Sequence, residues 1–390
     1  MTNIRDPLYG YLELSDEETR ILNSDHIQRL RRVKQLGFSS LVYPGATHNR
    51  FEHSLGVMHL TGRFADSLEL EDEKRRELRM AALLHDSGHG PLSHTSEIIA
   101  EDKGKSHEDY SCETADRIDG KHSLNTSNIK EIIRGKTELG SIVAGDIDAD
   151  RMDYLMRDAH ASGLEYGQID YETIIRCAKV RSGKLVYSSK AIEALESLFT
   201  SRFHMYKTLY DHHTARITKM MLGRAFRDLN QEMDADRLMR MDDYEADQAL
   251  VNSSGPSKDL YTRIRNRELF KRCLEWGTDD VSREQMLTIN KRIDREKAER
   301  EIAEAVKLEP HEIIVDPPHI PEIEKIEVKI EKEDEIISFS DVSGLQKALE
   351  KAEWRNVGLR VYGPKEKREE IKKASEDVLE GFKQILNQYT

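Results

Sequence analysis

Apolar side chains recur three or four residues apart along most of the first 230 residues, and this spacing restricts the fold more than any other feature of the sequence. The period is that of an amphipathic α-helix that buries one face. Ser15, with Glu18 three residues later, forms a capping box that begins a first acidic helix. Strand-like alternation is limited here to residues 8–14 and 184–188, so the fold class is mainly α. Longer helices are predicted over 25–36, 49–70, 71–85, 91–101, 107–118, 126–134, 149–160 and 190–230.

The chain changes character after about residue 255. A turn cluster at 253–256 (SSGP) precedes a strongly charged stretch, 258–309, that is predicted to be helical. Four prolines then interrupt helix, and the alternation that follows predicts three strands over 325–330, 335–339 and 357–361 and a helix from residue 365. These patterns divide the chain into a helical core of residues 1–255 and a small C-terminal α+β subdomain of residues 256–390, to which we assign a role in assembly.

Charge and hydropathy exclude several classes of protein. The chain has 60 Lys and Arg residues against 73 Asp and Glu residues, and its net charge of -13 repels nucleic-acid backbones unless basic residues are gathered locally. No apolar run approaches the ~18 residues of a membrane span, and the N-terminus lacks a signal-peptide pattern. Cys112, Cys177 and Cys273 lie far apart, without a CxxC pair. We expect a cytoplasmic protein with no membrane partner.

Histidines are concentrated in one part of the chain. Seven of the 15 histidines fall within residues 48–107, where even spacing would place roughly two, and such clustering indicates a site that uses metal or protons. His85 and Asp86 end an apolar helix and are followed by the turn SGHGP at 87–91. Imidazole and carboxylate together suit a first-row divalent transition metal, namely Fe, Mn, Zn or Co, better than calcium.

Two other segments offer ligands from a distance. His53 lies on a helix whose apolar neighbours can pack inward. Downstream, four polar residues recur every fourth position on one predicted helical face, with Arg151 and Arg157 beside them: Asp146, Asp150, Tyr154 and Asp158. Unpaired carboxylates stacked in this way repel one another, and a metal or a cationic partner would relieve the repulsion. Asp150 or a neighbour is therefore a candidate for the last ligand, and a solvent-facing acidic helix is the alternative.

Three contiguous motifs together resemble a known family. They are NRFEHSLGV at 49–57, LHDSGHGPLSH at 84–94 and IDADRMDY at 147–154, and they form the pattern H…HD…D. By this pattern the sequence resembles the HD-domain phosphohydrolases and is most similar to the deoxynucleoside triphosphate triphosphohydrolases among them. The resemblance extends from DPLYG at 6–10 to His212. It implies a helical HD-domain core and metal-dependent hydrolysis of a deoxynucleoside triphosphate (dNTP) to deoxynucleoside and inorganic triphosphate.

The resemblance also implies roles for single residues. The divalent transition metal would be held by His53, His85, Asp86 and Asp150, and Mg²⁺ is a further candidate ion, accompanying the substrate triphosphate. His94 would be the general acid, with Glu97 one helical turn away to orient its imidazole and His107 alongside. Taken alone, His94 could equally be a core histidine.

Substrate contacts follow from the same resemblance. Gln35 and Leu36 resemble the wall around deoxyribose, while phosphate and sugar contacts are implied for Arg50, His89, Arg151, Tyr154, Arg202 and Tyr210. Tyr206 occupies a position where the animal members of this triphosphohydrolase group have histidine, and a tyrosine stripe at helical spacing is also typical of plain core packing. Asp158 is expected to line the same pocket.

Several alternatives stay open. The substrate could be another nucleotide phosphoester, a nucleoside monophosphate or a cyclic dinucleotide, or the protein could be a non-catalytic nucleotide-binding oligomer. The basic residues Arg29, Arg31, Arg32 and Lys34 could bind single-stranded nucleic acid or an activator phosphate, or could form a solvated face. We expect a homo-oligomer, a dimer or a tetramer. Asn23 stands where the animal members of this triphosphohydrolase group bind an activating guanine with an aspartate, so GTP-specific activation is not expected.

Overall fold

Two short strands come first in the computed structural model, which describes residues 2–122, 125–320, 327–333 and 335–386. Strand β1 (Thr2–Asp6) pairs antiparallel with β2 (Gly10–Leu14). Asp6 Oδ1 accepts hydrogen bonds from the backbone N–H groups of Leu8 (2.8 Å) and Tyr9 (3.1 Å). These bonds make residues 7–9 a turn. The strand predicted over 8–14 therefore starts at Gly10, and its partner β1 was not predicted.

Helices form most of the remaining structure, and the mainly α class is confirmed. The first helix begins at the predicted capping box, because Ser15 Oγ accepts from the Glu18 N–H (3.1 Å) and Glu18 Oε2 accepts from the Ser15 N–H (2.8 Å). The α-helices up to residue 265 are α1 Asp16–Leu22, α2 Asp25–Arg29, α3 Arg50–Ser67, α4 Asp72–Leu84, α5 Glu97–Glu101, α6 His107–His122, α7 Thr126–Ile133, α8 Ala149–Ser162, α9 Tyr171–Cys177, α10 Ile192–Met205, α11 His213–Leu229, α12 Ala235–Met239, α13 Asp243–Asn252 and α14 Gly255–Arg265.

Three of these helices position the histidine-rich region. Helix α3 packs against both α4 and α8, and all three contribute to one hydrophobic core. The second half of α4, residues 77–84, is buried throughout, as its increasingly apolar sequence predicts. His53 on α3, His85 at the end of α4 and Asp150 on α8 are thereby brought to one place.

Three predicted helices are shorter than expected. Helix α2 ends at Arg29, and after one 3-10 turn Val33 is extended, so that the Gln35 N–H donates to His48 O (3.1 Å). The helix predicted over 91–101 is limited to α5, because Leu92 and Ser93 have positive φ values. The helix predicted over 190–230 is split by a π-helical turn, Tyr206–Tyr210, between α10 and α11. In each case backbone geometry that the apolar pattern does not encode ends the helix.

The C-terminal region contains helices and the strands of one sheet, and it adds two strands to another sheet that begins in the first core. Its helices are α15 Arg283–Arg292, α16 Arg295–Val306, α17 Phe339–Val342, α18 Leu345–Trp354 and α19 Arg368–Leu386. The remaining strands are β3 Ala178–Arg181, β4 Lys184–Ser188, β5 Lys271–Trp276, β6 Ile314–Asp316, β7 Lys329–Lys332, β8 Glu335–Ser338 and β9 Leu359–Gly363. They form a three-stranded antiparallel sheet in the order β5-β9-β6 and a four-stranded sheet in the order β3-β4-β7-β8. Within the described residues, each helix is too short or too polar to cross a bilayer.

The structure corrects several predictions for this region. The stretch 258–309 is not wholly helical, because β5 lies within it and pairs with β9. Strand β8 ends one residue early since Phe339 begins α17, and β9 lies two residues later than predicted. Of the strand predicted over 325–330, residues 325–326 lie outside the described residues, and β7 begins at Lys329.

The C-terminal region packs against the first core as well as forming its own. Strand β7 pairs in parallel with β4, and four buried side chains from this return segment belong to the core of the N-terminal helices: Val328, Ile330, Phe339 and Leu349. A separate core lies between the β5-β9-β6 sheet, α16 and α19. The segment 328–349 is therefore a structural part of the unit that contains the histidines.

Candidate active site

His85 and Asp86 lie directly after α4, where the buried helix opens into the glycine-containing turn. His85 Nδ1 donates to the carbonyl oxygen of Ala82 (2.7 Å), so the lone pair of the imidazole is on Nε2. This Nε2 atom is buried, has no hydrogen-bond partner among the described residues and lies 3.3 Å from Asp86 Oδ1. An unpartnered buried nitrogen beside a carboxylate is the environment of a metal ligand.

His53 and Asp150 complete this cluster from α3 and α8. His53 Nε2 lies 2.9 Å from Asp150 Oδ1 and 3.5 Å from Asp86 Oδ2, and His85 Nε2 lies 3.8 Å from the same Asp150 oxygen. Burial alone would raise the pKa of Asp150, but the hydrogen bond with His53 and the nearby His85 hold it well below its usual range. The four predicted ligand residues thus converge, and two imidazoles with two carboxylates suit a divalent transition metal.

A second cluster adjoins the first. Glu97 Oε2 lies 2.7 Å from His94 Nδ1, Glu97 Oε1 is hydrogen-bonded to His107 Nδ1, and the His89 and His107 rings are stacked at 3.9 Å. Burial would raise the pKa of Glu97, but His94, His107 and His89 hold it far below its usual range. His89 Nε2 is 3.3 Å from Asp86 Oδ1, which joins the two clusters. The predicted catalytic residues are therefore neighbours of the predicted ligands.

Two buried polar groups at the site have unused hydrogen-bonding capacity. Arg50 bonds to Asp86 through Nη1 and to Ser93 Oγ through Nε (2.7 Å), while its buried Nη2 has no partner in the described part of the chain. The Gln35 side chain is 9% exposed, and its Oε1 likewise has no partner among these residues. A donor and an acceptor held in this way can bind a ligand.

The side chains of Arg202, Tyr206 and Tyr210 remain neighbours although a π-helical turn interrupts their helix. The Arg202 guanidinium lies 5.2 Å from the Tyr206 ring centroid, the Tyr206 and Tyr210 rings are 4.9 Å apart, and Tyr154 meets Tyr210 edge-on at 6.1 Å. Asp158 accepts from the Tyr210 hydroxyl (2.6 Å) through Oδ2, and its Oδ1 lies 2.7 Å from His48 Nε2. Because both oxygens of Asp158 are engaged, this residue positions Tyr210 and His48 in the structure.

The remaining predicted contacts are placed as follows. Arg151 Nη1 donates to the carbonyl oxygen of Asp146 (2.5 Å), and its side chain stays partly exposed near the cluster. Leu36 is half-buried against the first core. Asp146 precedes α8, where Asp148 is the N-cap, so the prediction that Asp146 shares a helical face with Asp150 is wrong.

The basic segment does not form the continuous cationic face that its sequence suggests. Arg29 is directed inward and donates to the carbonyl oxygens of Met241 (2.7 Å), Ser87 (2.9 Å) and His89 (2.7 Å). Arg32 pairs with Asp242 at 2.5 Å, whereas Arg31 is exposed over the Phe51 ring. Including Arg29 in a binding surface was wrong, because its guanidinium binds the turn that follows Asp86.

Comparison with known proteins agrees with this geometry. The family model described as HD domain matches residues 50–158, and the model described as HD associated region matches residues 169–387. The chain belongs to the HD-domain phosphohydrolase family. An uncharacterized protein of Methanocaldococcus jannaschii is 36% identical over 95% of this HD-domain chain and 81% of its own length.

Two further similar proteins extend the comparison. A Dictyostelium discoideum protein named deoxynucleoside triphosphate triphosphohydrolase SAMHD1 homolog is 31% identical over 69% of this chain, and the match spans 59% of that protein. The crystal structure of a hypothetical protein from Aquifex aeolicus superposes with a TM-score of 0.77 at 28% identity, covering 96% of this chain and 99% of that one.

The HD-domain site also contains residues that sequence reasoning missed. Asp153 Oδ2 lies 2.7 Å from His53 Nδ1, and Asp153 itself accepts from the Tyr9 hydroxyl (2.8 Å) and from Arg157 Nε and Nη2 (2.9 Å each). Arg157 Nη1 also donates to Asp6 (2.9 Å), so this arginine, predicted beside the carboxylate face of α8, pairs with Asp153 and Asp6. This network fixes the His53 ring with Nε2 toward Asp86 and Asp150. The position of Asp153 one turn after Asp150 was the available signal.

Proposed function

We propose that this HD-domain protein is a metal-dependent hydrolase that splits dNTPs into deoxynucleoside and inorganic triphosphate. The observation that supports this most is the junction at Asp86, whose Oδ1 lies 3.3 Å from both His85 Nε2 and His89 Nε2. A donor set for a metal and an imidazole–carboxylate cluster for proton transfer therefore meet at one carboxylate. Metal-assisted phosphoryl transfer to water can use both.

His53, His85, Asp86 and Asp150 would hold the divalent ion. When bound, such an ion supplies Lewis acidity toward a phosphoryl oxygen and makes a water acidic enough to attack phosphorus near neutral pH. Arg50 would donate its unpartnered Nη2 to a phosphate oxygen, because its other nitrogens are already held by Asp86 and Ser93.

His94 would protonate the leaving oxygen. Glu97 binds its Nδ1 at 2.7 Å, which leaves Nε2 of this exposed ring to face the substrate. In the proposed reaction the water oxygen bonds to the α-phosphorus, the bond from phosphorus to O5′ breaks, and His94 delivers a proton to O5′. Glu97 holds the imidazole in the orientation that this transfer requires.

The remaining predicted site residues would bind the sugar and the outer phosphates. Gln35 Oε1 offers an acceptor for a deoxyribose hydroxyl, and Leu36 and Tyr154 would close the wall beside C2′. Arg202, Tyr206 and Tyr210 would contact phosphate and sugar. A 2′-hydroxyl buried there without a partner costs on the order of 1–3 kcal/mol, so ribonucleotides should be poorer substrates.

A substrate panel tests this proposal. The protein loaded with Mn²⁺ is incubated with each dNTP, each rNTP, nucleoside monophosphates and a cyclic dinucleotide, and the products are separated by chromatography. We expect deoxynucleoside from dNTPs, no reaction with the His85→Ala variant, and wild-type rates with His160→Ala, a matched control because His160 is an exposed histidine. Turnover of monophosphates or cyclic dinucleotides alone would reject the dNTP assignment and retain the hydrolase class.

A further inference from the structure

The Nδ1 atoms of three imidazoles are directed at one carboxylate. Glu97 Oε2 lies 2.7 Å from His94 Nδ1, and Glu97 Oε1 bonds to His107 Nδ1 and lies 3.7 Å from His89 Nδ1. The proposed proton transfer uses His94 and Glu97 and leaves the orientation of the other two rings unexplained. The ligand atoms of His89, His94 and Glu97 all lie within 4.8 Å of one another.

The tautomer of His89 follows from its surroundings. Its Nε2 lies 3.3 Å from Asp86 Oδ1, and because an ionised carboxylate only accepts hydrogen bonds, the proton of the neutral ring is on Nε2. The lone pair is then on Nδ1, which is buried, on a residue 1% exposed, and has no partner among the residues described. Two acceptors, His89 Nδ1 and Glu97 Oε1, thus face each other across 3.7 Å.

A cation fits between these two acceptors. A zinc-class ion binds imidazole nitrogen and carboxylate oxygen at about 2.0–2.2 Å, so one ion can touch two donors that are 3.7 Å apart with an open angle between its bonds. His94 Nδ1, 2.7 Å from Glu97 Oε2, adds a third donor, and the fourth position of the ion is left to water. The His94 side chain is 55% exposed, so an ion can reach these donors from solvent.

We propose that His89, His94 and Glu97 form a second metal site, distinct from the His53, His85, Asp86 and Asp150 cluster, that takes a zinc-class divalent ion. Binding displaces the Nδ1 proton of His94 to solvent. An occupied site converts His94 from a proton donor into a ligand, so zinc inhibits hydrolysis. This inhibition rests on the proposed function, whereas the binding itself does not.

Zinc titration of variants without the first cluster tests the binding. The His53→Ala, His85→Ala double variant removes two imidazole ligands and keeps Asp86, which sets the His89 tautomer. Calorimetry should show one Zn²⁺ per chain, and Co²⁺ in its place should give the visible absorption of a four-coordinate site. Adding His89→Gln or Glu97→Gln should weaken binding by roughly 10- to 100-fold. Adding Glu101→Gln, which changes an exposed acid one turn along α5, should leave it unchanged.

The outcomes separate this proposal from the proposed function. Absence of zinc binding in the double variant, or a zinc affinity that neither His89→Gln nor Glu97→Gln lowers, overturns the second site. Because neither measurement involves hydrolysis, both can be read even if dNTPs are not substrates. In the Mn²⁺-loaded wild type, hydrolysis should fall as the second site fills with Zn²⁺. Undiminished hydrolysis at full occupancy overturns the inhibitory role.

Discussion

At the scale of single residues, the orientation of His53 depends on Asp153. Asp153 is fully buried, lies 2.7 Å from His53 Nδ1 and is itself held by Arg157 and Tyr9. Asp153→Asn keeps the volume but removes the charge that fixes the imidazole with Nε2 toward the ligand cluster. We expect the affinity for Mn²⁺ to fall by roughly 10- to 100-fold, measured by calorimetry.

A surface substitution provides the control for this prediction. Asp116→Asn alters an exposed carboxylate that pairs with Lys130, and it should leave Mn²⁺ affinity unchanged. Thermal unfolding of both variants separates stability from metal binding. Unchanged Mn²⁺ affinity in a folded Asp153→Asn protein would show that His53 is oriented without its carboxylate partner.

The sequence predicts the metal ligands better than it predicts the residues that hydrogen-bond to those ligands. His53, His85, Asp86 and Asp150 could be named because their types and motif spacing match metal chemistry. Asp153 has the same chemistry as Asp150 and lies one turn away, and only the packing of α3 against α8 decides which carboxylate faces the imidazole Nε2 and which faces Nδ1. Side-chain direction across a helix contact is absent from a single sequence.

At the scale of elements, the close approach of α3 and α8 requires glycine at position 56. A Cβ at Gly56 would lie 1.8 Å from Asp153 Oδ1 and 2.5 Å from Arg157 Nη2. Gly56→Ala should therefore lower the free energy of unfolding by roughly 1–3 kcal/mol and weaken Mn²⁺ binding, measured by urea unfolding and calorimetry. Gly223→Ala on α11 meets only Thr95 O at 3.9 Å and should be neutral or stabilising. Equal effects of the two substitutions would contradict this packing argument.

A buried ion pair joins α1 to α4 and predicts a pH dependence. Burial raises the pKa of Glu18, but the bonds from Arg79 and Ser15 outweigh it and lower the pKa below the ordinary 4.5. The pair therefore stabilises the fold above about pH 4.5, and this contribution is lost as pH falls through the lower folded-state pKa. Arg79→Met should cost roughly 3 kcal/mol at pH 7 and less near pH 3, measured by urea unfolding. The same cost at both pH values would contradict the assignment.

The interruptions of the helices could not be predicted from apolar spacing. Residues 25–36 have helical periodicity. The backbone of residues 33–35 is nevertheless hydrogen-bonded to residues 48–50, which lie too far along the chain to affect that periodicity. Tyr206 and Tyr210 likewise lie at helical spacing but on a π-helical turn. In both segments the departure from a regular helix occurs beside the site, where tertiary contacts outweigh local propensity.

At the scale of the whole molecule, the C-terminal region stabilises the unit that contains the site. Phe339 is fully buried, with its ring 5.3 Å from that of Phe199 on α10. Phe339→Ala should cost roughly 3–5 kcal/mol of unfolding free energy, measured by urea unfolding. Ile336→Ala, on the same return segment but 50% exposed, should cost little. A small effect of Phe339→Ala would show that the segment 328–349 contacts the first core without stabilising it.

The predicted division at residue 255 rests on a change in composition. That change does not show that β7 comes back to pair with β4 of the first core. A short parallel pairing between strands more than 140 residues apart has no local signal, because each strand is only four or five residues long. The mainly α core and the C-terminal α+β character were predictable from periodicity. The expected homo-oligomer and the loss of GTP specificity at Asn23 stay predictions, to be measured by sedimentation with and without each nucleotide.

The position of bond cleavage tests the central claim most directly. The Mn²⁺-loaded protein is given dGTP in water enriched in oxygen-18, and the products are analysed by mass spectrometry. Attack on the α-phosphorus predicts deoxyguanosine without the label and inorganic triphosphate with one labelled oxygen. Labelled orthophosphate together with dGDP would contradict the account, because it would place the γ-phosphorus beside His53, His85, Asp86 and Asp150.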